Sequence, residues 1–135
     1  MRAVLDPNIL IAALLSPSGA PARVIRRWLA GAFELVVSEA LLAELERALA
    51  YPKLRRRIPA DEAAELVALL RAAAVLAPDP EVGAYRSSDP GDDYLLALAA
   101  DERAVLVSCD QHLLVLADDL PIQAAREFLD RLGDE

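Results

Sequence analysis

Residues 2–8 read Arg-Ala-Val-Leu-Asp-Pro-Asn, and residues 104–110 read Ala-Val-Leu-Val-Ser-Cys-Asp. Each is an apolar run that ends at or just before an acid. Pro7 cannot continue a central strand, because it has no N–H for the ladder. Asp followed by Pro is, however, a helix-start signal. The first stretch therefore predicts a strand over 2–5 and a helix over 7–15. Both runs are apolar throughout rather than alternating, as strands of a parallel sheet covered on both faces must be.

The elements between and around them follow the same logic. Ser16-Pro17-Ser18-Gly19 reads as a loop, Pro21 opens a helix to about Ala30, and Gly31 ends it. Residues 33–37 (FELVV) read as a buried strand, and Ser38 is placed to cap a helix over 39–50 that stops before Pro52. Beyond the basic run 53–57 lies an amphipathic helix over about 61–74, then a short strand at 75–77. Asp89-Pro90-Gly91 repeats the helix-start signal for a helix over 91–102, followed by strand 104–108. A short helix over 111–116, an edge strand at Ile122 and a helix over 125–132 complete the chain. Strands alternating with helices predict one α/β domain over 1–135, three layers with a central, mostly parallel sheet.

Composition narrows the function. The chain has 135 residues, 56% hydrophobic and 4% aromatic, with a net charge of -8, which suits a packed domain and not a disordered one. Cys109 and His112 are each alone, so no disulfide framework, Cys-rich zinc site or His-pair zinc site is expected. Met1 leads into an apolar stretch broken by Asp6 that does not read as a signal peptide, and no run of about eighteen apolar residues spans a membrane. A soluble, cytoplasmic protein is expected. A generic nucleic-acid binder should be basic, so a phosphate-bearing partner would need local help. Arg26-Arg27 and Arg55-Arg56-Arg57 are the candidate RNA contacts. The few aromatics argue against strong generic binding by stacking.

In open parallel sheets the ligand crevice lies outside the carboxyl ends of the strands, and here those ends carry acids. Strand 2–5 delivers Asp6, with Asn8 two residues on, and strand 104–108 delivers Asp110. Asp89, Asp92 and Asp93 gather at the start of the helix before that strand. Asp93 shares a helix face with Ala97 and Ala100, which points it inward, and Glu44 sits between Ala40 and Ala48 beside a leucine stripe. Oxygen donors without His or Cys favour a hard cation, Mg²⁺ or Mn²⁺. One or two such ions would also reconcile an acidic pocket with a phosphate. Taken singly, each acid has a plainer role: Asp6, Asp89 and Asp110 as helix caps, Asp92 and Asp93 as partners of a helix dipole, Glu44 as a solvated face residue. Ser38 serves equally as a cap or to position a water. Cys109 reads as a small core residue.

The order Asp6-Pro7-Asn8, then 38–45 (SEALLAEL), then 89–97 (DPGDDYLLA), then Val107-Ser108-Cys109-Asp110 resembles the PIN domain family, in particular stand-alone toxins of toxin–antitoxin systems. The likeness covers nearly the whole chain, including the closing 122–129 (IQAAREFL). It implies a metal-dependent ribonuclease whose four core acids are Asp6, Glu44, Asp93 and Asp110. By the same likeness Asp6, Asp93 and Asp110 bind metal with Asp92, while Asn8 and Ser108 support them by hydrogen bonds and Asp89 stands nearby. RNA as substrate, a cognate antitoxin, and a homodimer or higher homo-oligomer are implied too. Cys109 stands where the family favours small or polar residues, and Ala124 where Ser or Thr often caps the last helix.

Two other classes compete. A phosphotransfer or phosphatase domain needs a Lys by the phosphoryl group, and Lys53 lies in the basic run instead. The haloacid-dehalogenase pattern also needs an Asp two residues after the first, where this chain has Asn8. A non-catalytic RNA- or protein-binding module of the same fold is the stronger competitor.

Overall fold

The apolar run cut off by Asp6-Pro7 becomes β1 (Arg2–Leu5) and then α1 (Pro7–Leu15), in a computed structural model that describes residues 1–80, 93–114 and 121–133. Pro7 occupies the first helical turn, where its missing N–H costs nothing. The chain turns by 102° into α2 (Ala20–Leu29). Gly31, at φ 87°, closes that helix, and the Ala32 N–H reaches back to the Arg27 carbonyl. This left-handed cap is the conformation glycine adopts without a Cβ penalty. β2 (Glu34–Val37) follows, and Ser38 caps α3 (Glu39–Leu49) through its Oγ, which accepts from the Leu41 N–H at 3.2 Å.

The basic run holds a short helix, α4 (Pro52–Arg55), that the sequence pattern did not reveal. Pro52 both stops α3 and starts α4, and one turn is too short to show a period. Next come α5 (Ala60–Ala73), β3 (Val75–Leu76), α6 (Asp93–Asp101), β4 (Val105–Val107), α7 (Gln111–Leu114), β5 (Ile122–Gln123) and α8 (Ala125–Leu132). Ala124 precedes α8 with no side-chain cap, as its methyl dictates.

The described strands form one five-stranded sheet in the order β3-β2-β1-β4-β5, every pair parallel. In β1, β2 and β4 every position after the first of β1 and β2 is buried, which is why these runs are apolar on both faces. The chain lays β2 and β3 to one side of β1 and then returns to lay β4 and β5 on the other. Right-handed crossovers in opposite directions place helices on opposite faces, giving the three layers. The reversal falls between β1 and β4, the place where open α/β sheets bind ligands.

Leu41, Leu42, Leu45 and Leu49 form the buried stripe of α3, and Ile58, beyond the basic run, joins the core. α8 packs on α2 and buries Phe128 edge-on against Phe33, ring centroids 5.0 Å apart at 87°. Among the described residues, no single helix is long and apolar enough to cross a membrane.

Candidate active site

Asp6 follows β1 directly, and its N–H extends the ladder to the Val107 carbonyl of β4 at 3.0 Å. Its carboxylate does two jobs. Oδ1 accepts from the Asn8 N–H at 3.0 Å, capping α1, and Oδ2 accepts from Ser108 Oγ at 2.8 Å. The cap and the site acid are therefore one residue. Ser108 Oγ also accepts from the Asp110 N–H at 3.0 Å, so one fully buried hydroxyl ties together the turns after β1 and β4. Asn8 contributes its backbone N–H while its side chain lies in an exposed residue, so the support it gives does not depend on the carboxamide.

Asp93 opens α6 and is 4% exposed, as its alanine-lined face predicted. Glu44 is half-buried on α3 and accepts from the Tyr94 hydroxyl through Oε2. That bond joins α3 to the turn of α6 bearing Asp93. Sequence reasoning missed Tyr94 as a site residue, since a tyrosine beside an acid carries no signal of which helix it will meet. Asp79 was missed too: its Oδ1 accepts from the Ala40 N–H at 3.1 Å, in the first turn of α3. Asp110 opens α7, its carbonyl accepting from Leu113 and Leu114. Ser38 is buried and acts as a cap. Asp89 and Asp92 lie outside the described residues.

Burial is the main force on Asp6 and raises its pKa above the usual carboxylate value. The Asn8 and Ser108 hydrogen bonds oppose that rise, and the charges of Asp110 and Glu44 add to it. Two of the other predicted core acids thus bear electrostatically on Asp6. The folded state consequently holds a proton on Asp6 over a range where the unfolded chain has lost it. That stability is complete below the ordinary carboxylate value and is lost as pH rises through the higher folded value. Asp6→Asn imitates the protonated form. With chelator present, its melting temperature should match wild type at acidic pH and exceed it increasingly towards neutrality. Glu39, lowered by its hydrogen bond to Arg71, works in the opposite sense but cancels between the two proteins. A difference that stays flat across pH would contradict a desolvated Asp6.

Cys109 corrects an expectation: it is exposed rather than part of the core. Its thiol is still partly covered, and that partial desolvation, followed by the charges of Asp6 and Asp110, pushes its pKa up, which disfavours a thiolate nucleophile.

The donor chemistry fits a hard divalent cation: carboxylates at the carboxyl ends of the strands, with Asp6 made proton-avid first by burial and then by the charges of Asp110 and Glu44. Among the described residues, however, no three His, Cys, Asp or Glu side chains close around a single point. The arginines predicted to contact RNA do not share this edge. Arg26 and Arg27 occupy the last turn of α2, which leads to the amino end of β2, and they donate to the Pro17 and Gly133 carbonyls, both at 2.8 Å. Arg55, Arg56 and Arg57 are exposed beyond the far end of α3.

Fold and site together define an acid-edged, parallel α/β domain whose sheet reverses between β1 and β4. A family model described as PIN domain matches residues 2–112, and the chain belongs to the PIN domain family. PIN domains are in general nucleases and generally use divalent metals. The crystal structure of PAE2754 from Pyrobaculum aerophilum matches with a TM-score of 0.69 at 17% identity, over 100% of this chain and 91% of that one. A chain of VapBC2 from Rickettsia felis, bound to a DNA fragment from their promoter, matches with a TM-score of 0.64 at 15% identity, over 92% and 98%. At these identities the likeness is one of fold. No curated protein matches the sequence significantly.

Proposed function

We propose that residues 1–135 form one PIN domain acting as a metal-dependent endoribonuclease, the toxin of a toxin–antitoxin pair. The observation that carries this is the buried Asp6 carboxylate, clamped at the switch point by Asn8 and Ser108 and within the electrostatic reach of Asp110 and Glu44. Asp6, Asp93 and Asp110, with Asp92, would hold Mg²⁺ or Mn²⁺, and Glu44 would help hold a second ion. When bound, the metal supplies a more acidic, positioned water and neutralises charge on the phosphodiester. The chain's own groups fix the geometry. Ser108 sets the Asp6 carboxylate and the backbone of Asp110 at once, and Tyr94 holds Glu44. The likeness of fold to the VapBC2 chain supports an antitoxin partner, and a homodimer or higher homo-oligomer is part of the same proposal.

A thermal shift separates this from a non-catalytic module. Ligand binding to the folded state alone adds about 2.7 kcal/mol at 100-fold excess over Kd, a shift of several degrees in a domain this size. Mn²⁺ should therefore raise the melting temperature of wild type by several degrees and that of Asp6→Asn far less. No rise in wild type would leave a binding module as the better description.

A further inference from the structure

The chain has one Trp, three Tyr and two Phe. Trp28, Phe33 and Phe128 are buried in the core, and Tyr85 lies outside the described residues. The remaining two, Tyr51 and Tyr94, line the same groove of about 530 Å³, together with Ala40, Glu44, Arg47 and Ala48. Positions 40, 44, 47 and 48 recur at helical spacing and so share one face of α3, and Tyr51 follows just past its end. The alanine methyls leave the space, and the tyrosines wall it. Glu44 belongs both to this groove and to the acidic site. Tyr51 is 65% exposed and sits two residues beyond the end of α3. Among the described residues Arg47 makes no ion pair.

We propose that this groove is a nucleotide subsite, in which a base of single-stranded RNA next to the scissile phosphate stacks on Tyr51 while Arg47 takes a backbone phosphate. The proposal rests on the ribonuclease reading and deepens it. Glu44 and the net charge of -8 disfavour phosphate along most of this surface. A base, which has a π-face and no charge, suits the tyrosine side, and Arg47, the one cation among the described lining residues, suits the phosphate. The face then leads from the acidic edge towards Arg55, Arg56 and Arg57, which gives those arginines a route to the strand from beyond the end of α3. Sparse aromatics thus need not mean absent stacking, since the two described ones outside the core are concentrated at one place.

The test is steady-state cleavage of a single-stranded RNA decamer with Mn²⁺, alongside a series in which one abasic nucleotide is moved through the sequence. Tyr51→Ala should raise KM about 10-fold with little change in kcat, and Tyr51→Phe, which keeps the ring, should restore most of the affinity. For wild type, the abasic nucleotide should raise KM at one position beside the cleavage site, and that penalty should vanish in Tyr51→Ala. Arg47→Ala should raise KM and flatten its dependence on salt. Cleavage with unchanged KM in Tyr51→Ala, or an abasic penalty that survives the substitution, overturns the subsite and leaves the ribonuclease standing. Absence of metal-dependent cleavage by wild type overturns both.

Discussion

Asp6→Asn is expected to lower metal-dependent RNA cleavage by roughly 10³-fold or more, while the circular dichroism spectrum stays that of wild type. Loss of a single preorganised charge-stabilising group costs ~10²–10³ in rate, and a group that also orders other site acids should cost at least as much. Folding survives because the substitution is isosteric. The Asn carboxamide oxygen still accepts from the Asn8 N–H, so α1 keeps its cap. What changes lies opposite Ser108, where an NH₂ now faces a hydroxyl that donates to the native carboxylate. That hydroxyl must turn to accept, and the negative charge at the switch point is gone. The measurement is cleavage of a labelled RNA with Mn²⁺ at neutral pH. Wild-type rates from a folded Asp6→Asn protein would end the catalytic assignment of Asp6 and, with it, the proposed hydrolase.

Phe128→Ala should produce the largest loss of stability, about 3–5 kcal/mol for truncating a fully buried phenylalanine. In a domain of this size that is a fall of roughly 10 °C or more in melting temperature. Phe128 lies beyond residues 2–112, the segment the family model matches, yet its ring meets Phe33, just before β2, edge-on. The closing helix therefore locks the layer carried by α2 rather than decorating it. Thermal melts read the effect directly. A shift under about 3 °C would mean that α8 is not docked as described.

Most of the elements are legible in the sequence, because their signals are local. Asp6-Pro7 announces the end of β1 and the start of α1, Ser38 the start of α3, and Gly31 the end of α2. The apolar stripe at 41, 42, 45 and 49 is written at helical spacing. α4 and the buried Ile58 carry no such signal, since a single turn inside a run of positive charge has no period to detect. Asp93 could be aimed inward from its alanine neighbours. Glu44 and Tyr94 could each be assigned to a helix, but not to each other.

The sequence by itself determined the alternation of strands and helices, the burial of the central strands on both faces, and the delivery of acids to their carboxyl ends. These follow from side chains that are neighbours along the chain, and from the fixed repeat of a strand or helix. Only the tertiary structure decided that the sheet reverses between β1 and β4. Ser108 thereby meets Asp6 across 102 positions of sequence, and Tyr94 meets Glu44 across 50. No local pattern encodes such meetings, because strand order and helix docking are settled by how the whole apolar surface is buried at once.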